Sequence, residues 1–185
     1  MTGKSDQLRV LCFGAHPDDC EVKIGGTAAL WAARGHLVRF TSVTNGETGH
    51  HQRCGAELAA RRAAEARAAA EVLGVESRVL PTPSGALVPS VERRREIIVE
   101  IREFRPDLII THRPNDYHPD HRYTSQLVQD AAYLVTVPGN TPEVPALRRN
   151  PVIAYCEDTF MKPLPFAADV VVNIDPTIEK KMDAL

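Results

Sequence analysis

The stretch Leu8-Arg9-Val10-Leu11-Cys12-Phe13-Gly14, running straight into Ala15-His16-Pro17-Asp18-Asp19, decides the reading of this chain. Its first seven residues are a largely unbroken apolar run, the pattern of a strand covered on both faces. One His and two Asp follow at once. In an open α/β sheet, ligands bind at the carboxyl ends of the strands, where such a loop would lie. The combination recurs. Leu108-Ile109-Ile110-Thr111 is a second apolar run, and His118-Pro119-Asp120-His121 comes shortly after it.

Between and beyond these two segments, strand and helix patterns alternate. Gly25-Gly26-Thr27 is expected to open an Ala-rich helix through Arg34, stopped by Gly35. A strand over 37–43 leads into a turn-rich loop, Thr44-Asn45-Gly46-Glu47-Thr48-Gly49-His50-His51, and a long helix over 56–73 ends at Gly74. A short strand over 78–80 and a loop over 81–90 precede an amphipathic helix over 91–104, with Ile97, Ile98, Ile101 and Phe104 on one face. Pro106 resets the chain into a strand over 107–111, and 123–135 reads as a helix. The proline-studded 138–151 reads as a rim or lid loop, followed by strands over 152–155 and 170–174 and a helix from Pro176. Such repeated βα units predict an α/β, Rossmann-like doubly wound, mostly parallel sheet with helices on both faces. One domain over 1–185 is expected. The last helix reaches Leu185 without a stop signal, which leaves open that the natural chain continues.

The 185 residues carry a formal net charge of −2, so there is no basic footprint for phosphate backbones and nucleic acid is not an expected partner. No run approaches the roughly 20 apolar residues of a membrane span, and no secretory leader is read after Met1. Cys12, Cys20, Cys54 and Cys156 show no Cys-x-x-Cys spacing, as expected of reduced thiols in a cytoplasmic protein. A homo-oligomer is left open.

His16, Asp19 and His121 form the candidate ligand set: three protein ligands and an open position are what a catalytic zinc site keeps. Each residue has a plainer reading. A lone His after a strand caps or packs, and Asp18-Asp19 could be an N-cap signal. Two adjacent carboxylates, however, repel unless a cation is near. Imidazole ligands favour zinc over magnesium, while a two-His, one-carboxylate set also suits iron(II), including that of an oxygenase. Asp18, beside a ligand, is the candidate general base, and His118 the candidate acid and oxyanion stabiliser. Asp120 is expected to hold His118 protonated, with a helix N-cap as its alternative role.

Three segments together resemble the PIG-L/LmbE-like deacetylases: Gly14-Ala15-His16-Pro17-Asp18-Asp19-x-Glu21, Thr44-Asn45-Gly46-Glu47-x-Gly49 and Asp116-x-His118-Pro119-Asp120-His121. The resemblance covers nearly the whole chain in one order. It implies a zinc-dependent hydrolase that removes the acetyl group from N-acetylglucosamine-type sugars, with His16, Asp19 and His121 as ligands, Asp18 as base and His118 as acid. It also implies a substrate-contacting Arg, matched best by Arg62 with Arg61 one position away. Cys20, standing between Asp19 and Glu21, departs from the usual pattern.

The expected partner is therefore a small amino-sugar substrate. Glu47, His50 and His51 are further candidates for substrate contact, because their loop should overhang the crevice, although a solvated histidine pair is the plainer reading. An amidase acting on a larger thiol–sugar conjugate fits the same residues. So does a non-catalytic sugar- or dinucleotide-binding module, although Gly-x-Gly-x-x-Gly is missing after the first strand.

Overall fold

The computed structural model describes residues 7–185, so the reading of residues 1–6 for a leader lies outside it. Five strands, β1 (Arg9–Gly14), β2 (Leu37–Thr44), β3 (Glu76–Thr82), β4 (Leu108–Thr111) and β5 (Val152–Tyr155), form one sheet in the order β3-β2-β1-β4-β5. Every pairing is parallel, as the βα repeat predicts. Five helices connect or follow them: α1 (Asp19–Ala33), α2 (Ala56–Leu73), α3 (Val91–Phe104), α4 (Pro119–Leu134) and α5 (Ile178–Asp183).

Alternation along β1 splits the core in two. Leu11 and Phe13 face a cluster with Ile97, Ile98, Ile101, Leu127 and Val128 of α3 and α4. Val10 and Cys12 face the opposite cluster, with Ile24 and Ala28 of α1 and Leu73 of α2. A strand sandwiched in this way must be apolar on both faces, which is why its sequence shows a run rather than an alternation. Phe13→Ala would remove a fully buried ring at a cost of about 3–5 kcal/mol.

The chain winds outward from β1 through β2 to β3, then crosses back to β4 on the other side of β1. The loops after β1 and β4 therefore leave the sheet in divergent directions, and a crevice opens between them. Both His- and Asp-dense segments lie in that crevice.

Four sequence expectations are corrected. Gly25-Gly26 does not open α1, which begins at Asp19 and runs through both glycines. A Cβ on Gly26 would meet Ile174 Cδ1 at 2.7 Å, and Thr177 Oγ1 donates to Gly26 O at 2.7 Å, so Gly26 serves close packing. Ile174 docks on α1 instead of extending the sheet, and 170–174 forms no strand; Val171 is 84% exposed. Helix α4 begins at Pro119 rather than at 123, which makes His118 its N-cap. Finally, 138–151 is no lid. It connects α4 to β5, so it lies at the amino ends of the strands, away from the crevice.

That connection is tied to the buried Arg102 of α3. The guanidinium donates to the carbonyls of Leu134, Val135, Val137, Thr141 and Val144 at 2.7–3.0 Å. Among the described residues no helix is long and apolar enough to cross a membrane.

Candidate metal centre

The first loop turns sharply after β1 because Gly14 lacks a side chain: a Cβ there would meet Asp19 Cβ at 2.8 Å. The backbone then folds so that the His16 N–H donates to Asp19 Oδ2 at 2.8 Å. Thr44 of β2 anchors the loop from below, its N–H and hydroxyl each donating to Ala15 O at 2.8 Å. The second segment is held by the start of α4. There His118 Nδ1 accepts the Asp120 N–H at 3.2 Å, and Pro119 occupies the first turn, where no N–H is needed.

Between the two segments the three expected ligands meet. His16 Nδ1 lies 3.3 Å from His121 Nε2 and 3.5 Å from Asp19 Oδ2, and Asp19 Oδ1 lies 3.5 Å from His121 Nε2. Ligands bound at 2.0–2.1 Å around a tetrahedral ion stand about 3.3–3.4 Å apart. The two imidazole donors match that spacing, and one donor atom from each of the three residues lies within 4.8 Å of the others, so the set suits a small transition-metal ion. Two imidazoles and one carboxylate are the donor chemistry such an ion takes.

Each histidine has its outer nitrogen tied to a carboxylate. His16 Nε2 lies 3.0 Å from Asp120 Oδ2, and His121 Nδ1 lies 2.9 Å from Asp116 Oδ2. Such outer partners fix ring orientation and raise ligand basicity. The expected Asp120–His118 pair is thereby corrected: the buried Asp120 carboxylate turns to His16 and to the Gly85 N–H at 2.7 Å. His118 receives only the Asp120 backbone N–H, and its Nε2 stays free on an exposed ring.

Electrostatics follow from this wiring. Burial opposes ionisation of Asp19, yet the hydrogen bonds from His112 and His16 hold its carboxyl well below the usual range. For His16, burial works downward but Asp19 and Asp120 outweigh it and raise its pKa. Burial, with His112 beside it, lowers that of His121. Asp18 is raised by desolvation and by the charge of Asp19, against the pull of Arg62. Glu21, buried behind this loop, is pushed up to about 7, mainly by desolvation. Burial also raises the Cys12 and Cys20 thiols, so neither offers a thiolate.

A cavity of about 310 Å³ opens over the cluster, lined by His16, Asp18, Arg62, Ser84, Gly85, His118 and His121 together with Pro17, Gly46, Thr48 and Gly49. Arg62 resolves the one-position uncertainty: it donates to Asp18 Oδ2 at 2.6 Å and to Pro17 O, while Arg61 is exposed and pairs with Glu65. Gly46 permits this approach, since a Cβ there would sit 3.1 Å from Arg62 Cγ. A second hollow of about 390 Å³ shares Asp18 and Arg62 but reaches back to Val72 and Leu185, away from the candidate ligands.

Three expected substrate contacts do not line the cavity. The Glu47 side chain accepts from Asn45 Nδ2, and the His50 and His51 rings stack on each other with centroids 4.5 Å apart. Conversely, Asp116, His112 and Ser84 were not assigned roles from sequence. Ser84 Oγ meets Thr44 Oγ1 at 2.9 Å and accepts the Gly46 N–H at 2.8 Å, joining two rim loops. The available signal for His112 was its place as the first residue beyond an apolar strand.

Known proteins resemble this chain in sequence and fold. A diacetylchitobiose deacetylase of Thermococcus kodakarensis is 34% identical over 140 residues, covering 72% of this chain and 52% of that protein. A 1D-myo-inositol 2-acetamido-2-deoxy-alpha-D-glucopyranoside deacetylase of Catenulispora acidiphila is 29% identical over 165 residues, covering 73% of this chain and 51% of that protein. The chain thus spans about half the length of the curated relatives it matches. The structure of N,N'-diacetylchitobiose deacetylase from Pyrococcus horikoshii superposes with a TM-score of 0.83 at 28% identity, covering 97% of this chain and 68% of that one. Residues 11–132, which hold both candidate-ligand segments, match the family described as PIG-L, GlcNAc-PI de-N-acetylase, and the chain belongs to that family.

Proposed function

We propose that the protein is a zinc-dependent hydrolase that removes the acetyl group from an N-acetylglucosamine-type sugar or sugar conjugate, releasing acetate and a free amine. The observation that carries this reading is the meeting of His16, Asp19 and His121 donors at 3.3–3.5 Å, with Asp18 and His118 on the same cavity wall. Relatives that deacetylate amino sugars support the substrate class.

His16, Asp19 and His121 would hold the ion. When bound, zinc polarises the amide carbonyl and lowers the pKa of a water toward about 7. Asp18 takes the proton from the attacking water. Its raised pKa makes it a better base than an ordinary carboxylate, and Arg62 aims it. His118 Nε2–H, left free by the bond at Nδ1, donates a hydrogen bond to the oxygen of the tetrahedral intermediate, and the proton taken up by Asp18 passes to the departing amine. Asp120 acts through His16, and Arg62 also contacts sugar hydroxyls from the cavity wall.

The test is release of acetate with stoichiometric free amine from N-acetylglucosamine, N,N'-diacetylchitobiose and an N-acetylglucosaminyl-inositol, with and without chelator. Metal-dependent turnover of any of these supports the reading. Turnover only of a larger thiol–sugar amide would move the assignment to an amidase, and no amide hydrolysis at all would reject it.

A further inference from the structure

We propose that His112 is a positioning residue for the metal centre: it holds one oxygen of Asp19 and thereby leaves the other to ligate. The proposal rests on the metal reading above. His112 is the first residue beyond β4 and is 2% exposed. Its ring lies flat on His121, with centroids 4.2 Å apart and planes within 7°.

Two groups converge on Asp19 Oδ2: the His16 N–H donates at 2.8 Å, and His112 Nε2 lies 3.2 Å away. Oδ1 instead faces His121 Nε2. A carboxylate with one oxygen twice occupied presents the other as a single ligand atom. His112 Nε2 also stands 3.0 Å from the Ala15 N–H, and one nitrogen cannot both accept there and donate to Asp19. A hydrogen bond to an ionised carboxylate is roughly twice as strong as a neutral one, which favours the tautomer with the proton on Nε2, shared with Asp19, over the one that accepts from Ala15. The same ring forms the wall that sets the plane of His121. His112 thus acts on two of the three ligands at once, and its backbone neighbours make it continuous with the sheet.

A ring that merely fills space would be replaced equally well by phenylalanine, and that is the test. His112→Phe keeps the stack on His121 and removes Nε2. His112→Asn is too short to reach Asp19, and His112→Gln returns an amide N–H at similar reach. Each variant, checked for folding by circular dichroism, is stripped of metal and titrated with cobalt(II), and both affinity and visible absorption are read. The expected result for the phenylalanine and asparagine variants is about 10–100-fold weaker binding. Their visible bands should also be weaker, because Asp19 closes on the ion with both oxygens and the coordination number rises. The glutamine variant should keep wild-type affinity and bands.

Wild-type affinity and spectrum in a folded phenylalanine or asparagine variant overturn the proposal. Loss in all three variants, glutamine included, assigns His112 to packing and also overturns it. A wild-type protein that takes up no cobalt overturns the metal reading itself, and this proposal with it.

Discussion

The Asp120 carboxylate is bonded to His16 rather than to the nearby His118 ring: its Oδ2 lies 3.0 Å from His16 Nε2 across a separation of 104 residues. This single contact ties the start of α4 to the loop after β1, so the two halves of the candidate centre are braced against each other. Asp120→Asn should therefore weaken zinc binding about 10–100-fold, measured by competition with a chromophoric chelator. Had Asp120 served His118, the same variant would lower turnover and leave metal affinity unchanged.

Asp18 stands apart from the donor set and pairs with Arg62 at 2.6 Å. Asp18→Asn should keep the metal and lower turnover about 10²–10⁴-fold, the usual cost of losing a general base. Metal content by mass spectrometry together with single-turnover acetate release checks both halves. Near wild-type turnover would assign water activation to another group.

Metal binding should weaken with acid sooner than free imidazole would suggest. A ligating histidine must be neutral, and the folded protein raises the pKa of His16 above the ordinary value through Asp19 and Asp120, despite burial. Protons then compete with the ion from a higher pH downward: affinity is full well above the raised pKa and falls as pH drops through it. Zinc titrations across about pH 5–8 should show this loss, and Asp120→Asn should move its midpoint down.

Arg102 sits at the opposite end of the sheet from the candidate metal centre, its guanidinium shared among five backbone carbonyls. Arg102→Met would leave buried acceptors unpaired and should destabilise the fold by about 2–4 kcal/mol. The denaturation midpoint should fall, while zinc affinity in the folded protein stays at the wild-type value.

The features legible in the sequence were those written locally. The apolar run of β1 must be apolar because both faces are covered, and His16 and Asp19 follow within one turn, so strand, loop and candidate ligands could be read together. His121 was legible for the same reason. The partner of Asp120 was not, because its proximity to His118 in sequence gives no hint that its carboxylate points back across the crevice to His16. The apolar pattern at 170–174 suggested a strand, but Ile174 finds its partner in the bare backbone at Gly26 on α1. That contact, between residues far apart in sequence, also accounts for a glycine at position 26 inside a helix. Prolines in 138–151 signalled a loop correctly, yet they carried no information about which end of the sheet it occupies.

The central claim is that His16, Asp19 and His121 hold one catalytic ion. Titrating metal-stripped protein with zinc while following acetate release from N,N'-diacetylchitobiose or an N-acetylglucosaminyl-inositol tests it most directly. The account predicts that activity rises linearly and breaks at about one zinc per chain, and that His121→Ala abolishes both uptake and activity. Activity that persists in the metal-stripped protein, or zinc uptake unchanged in His121→Ala, would contradict it.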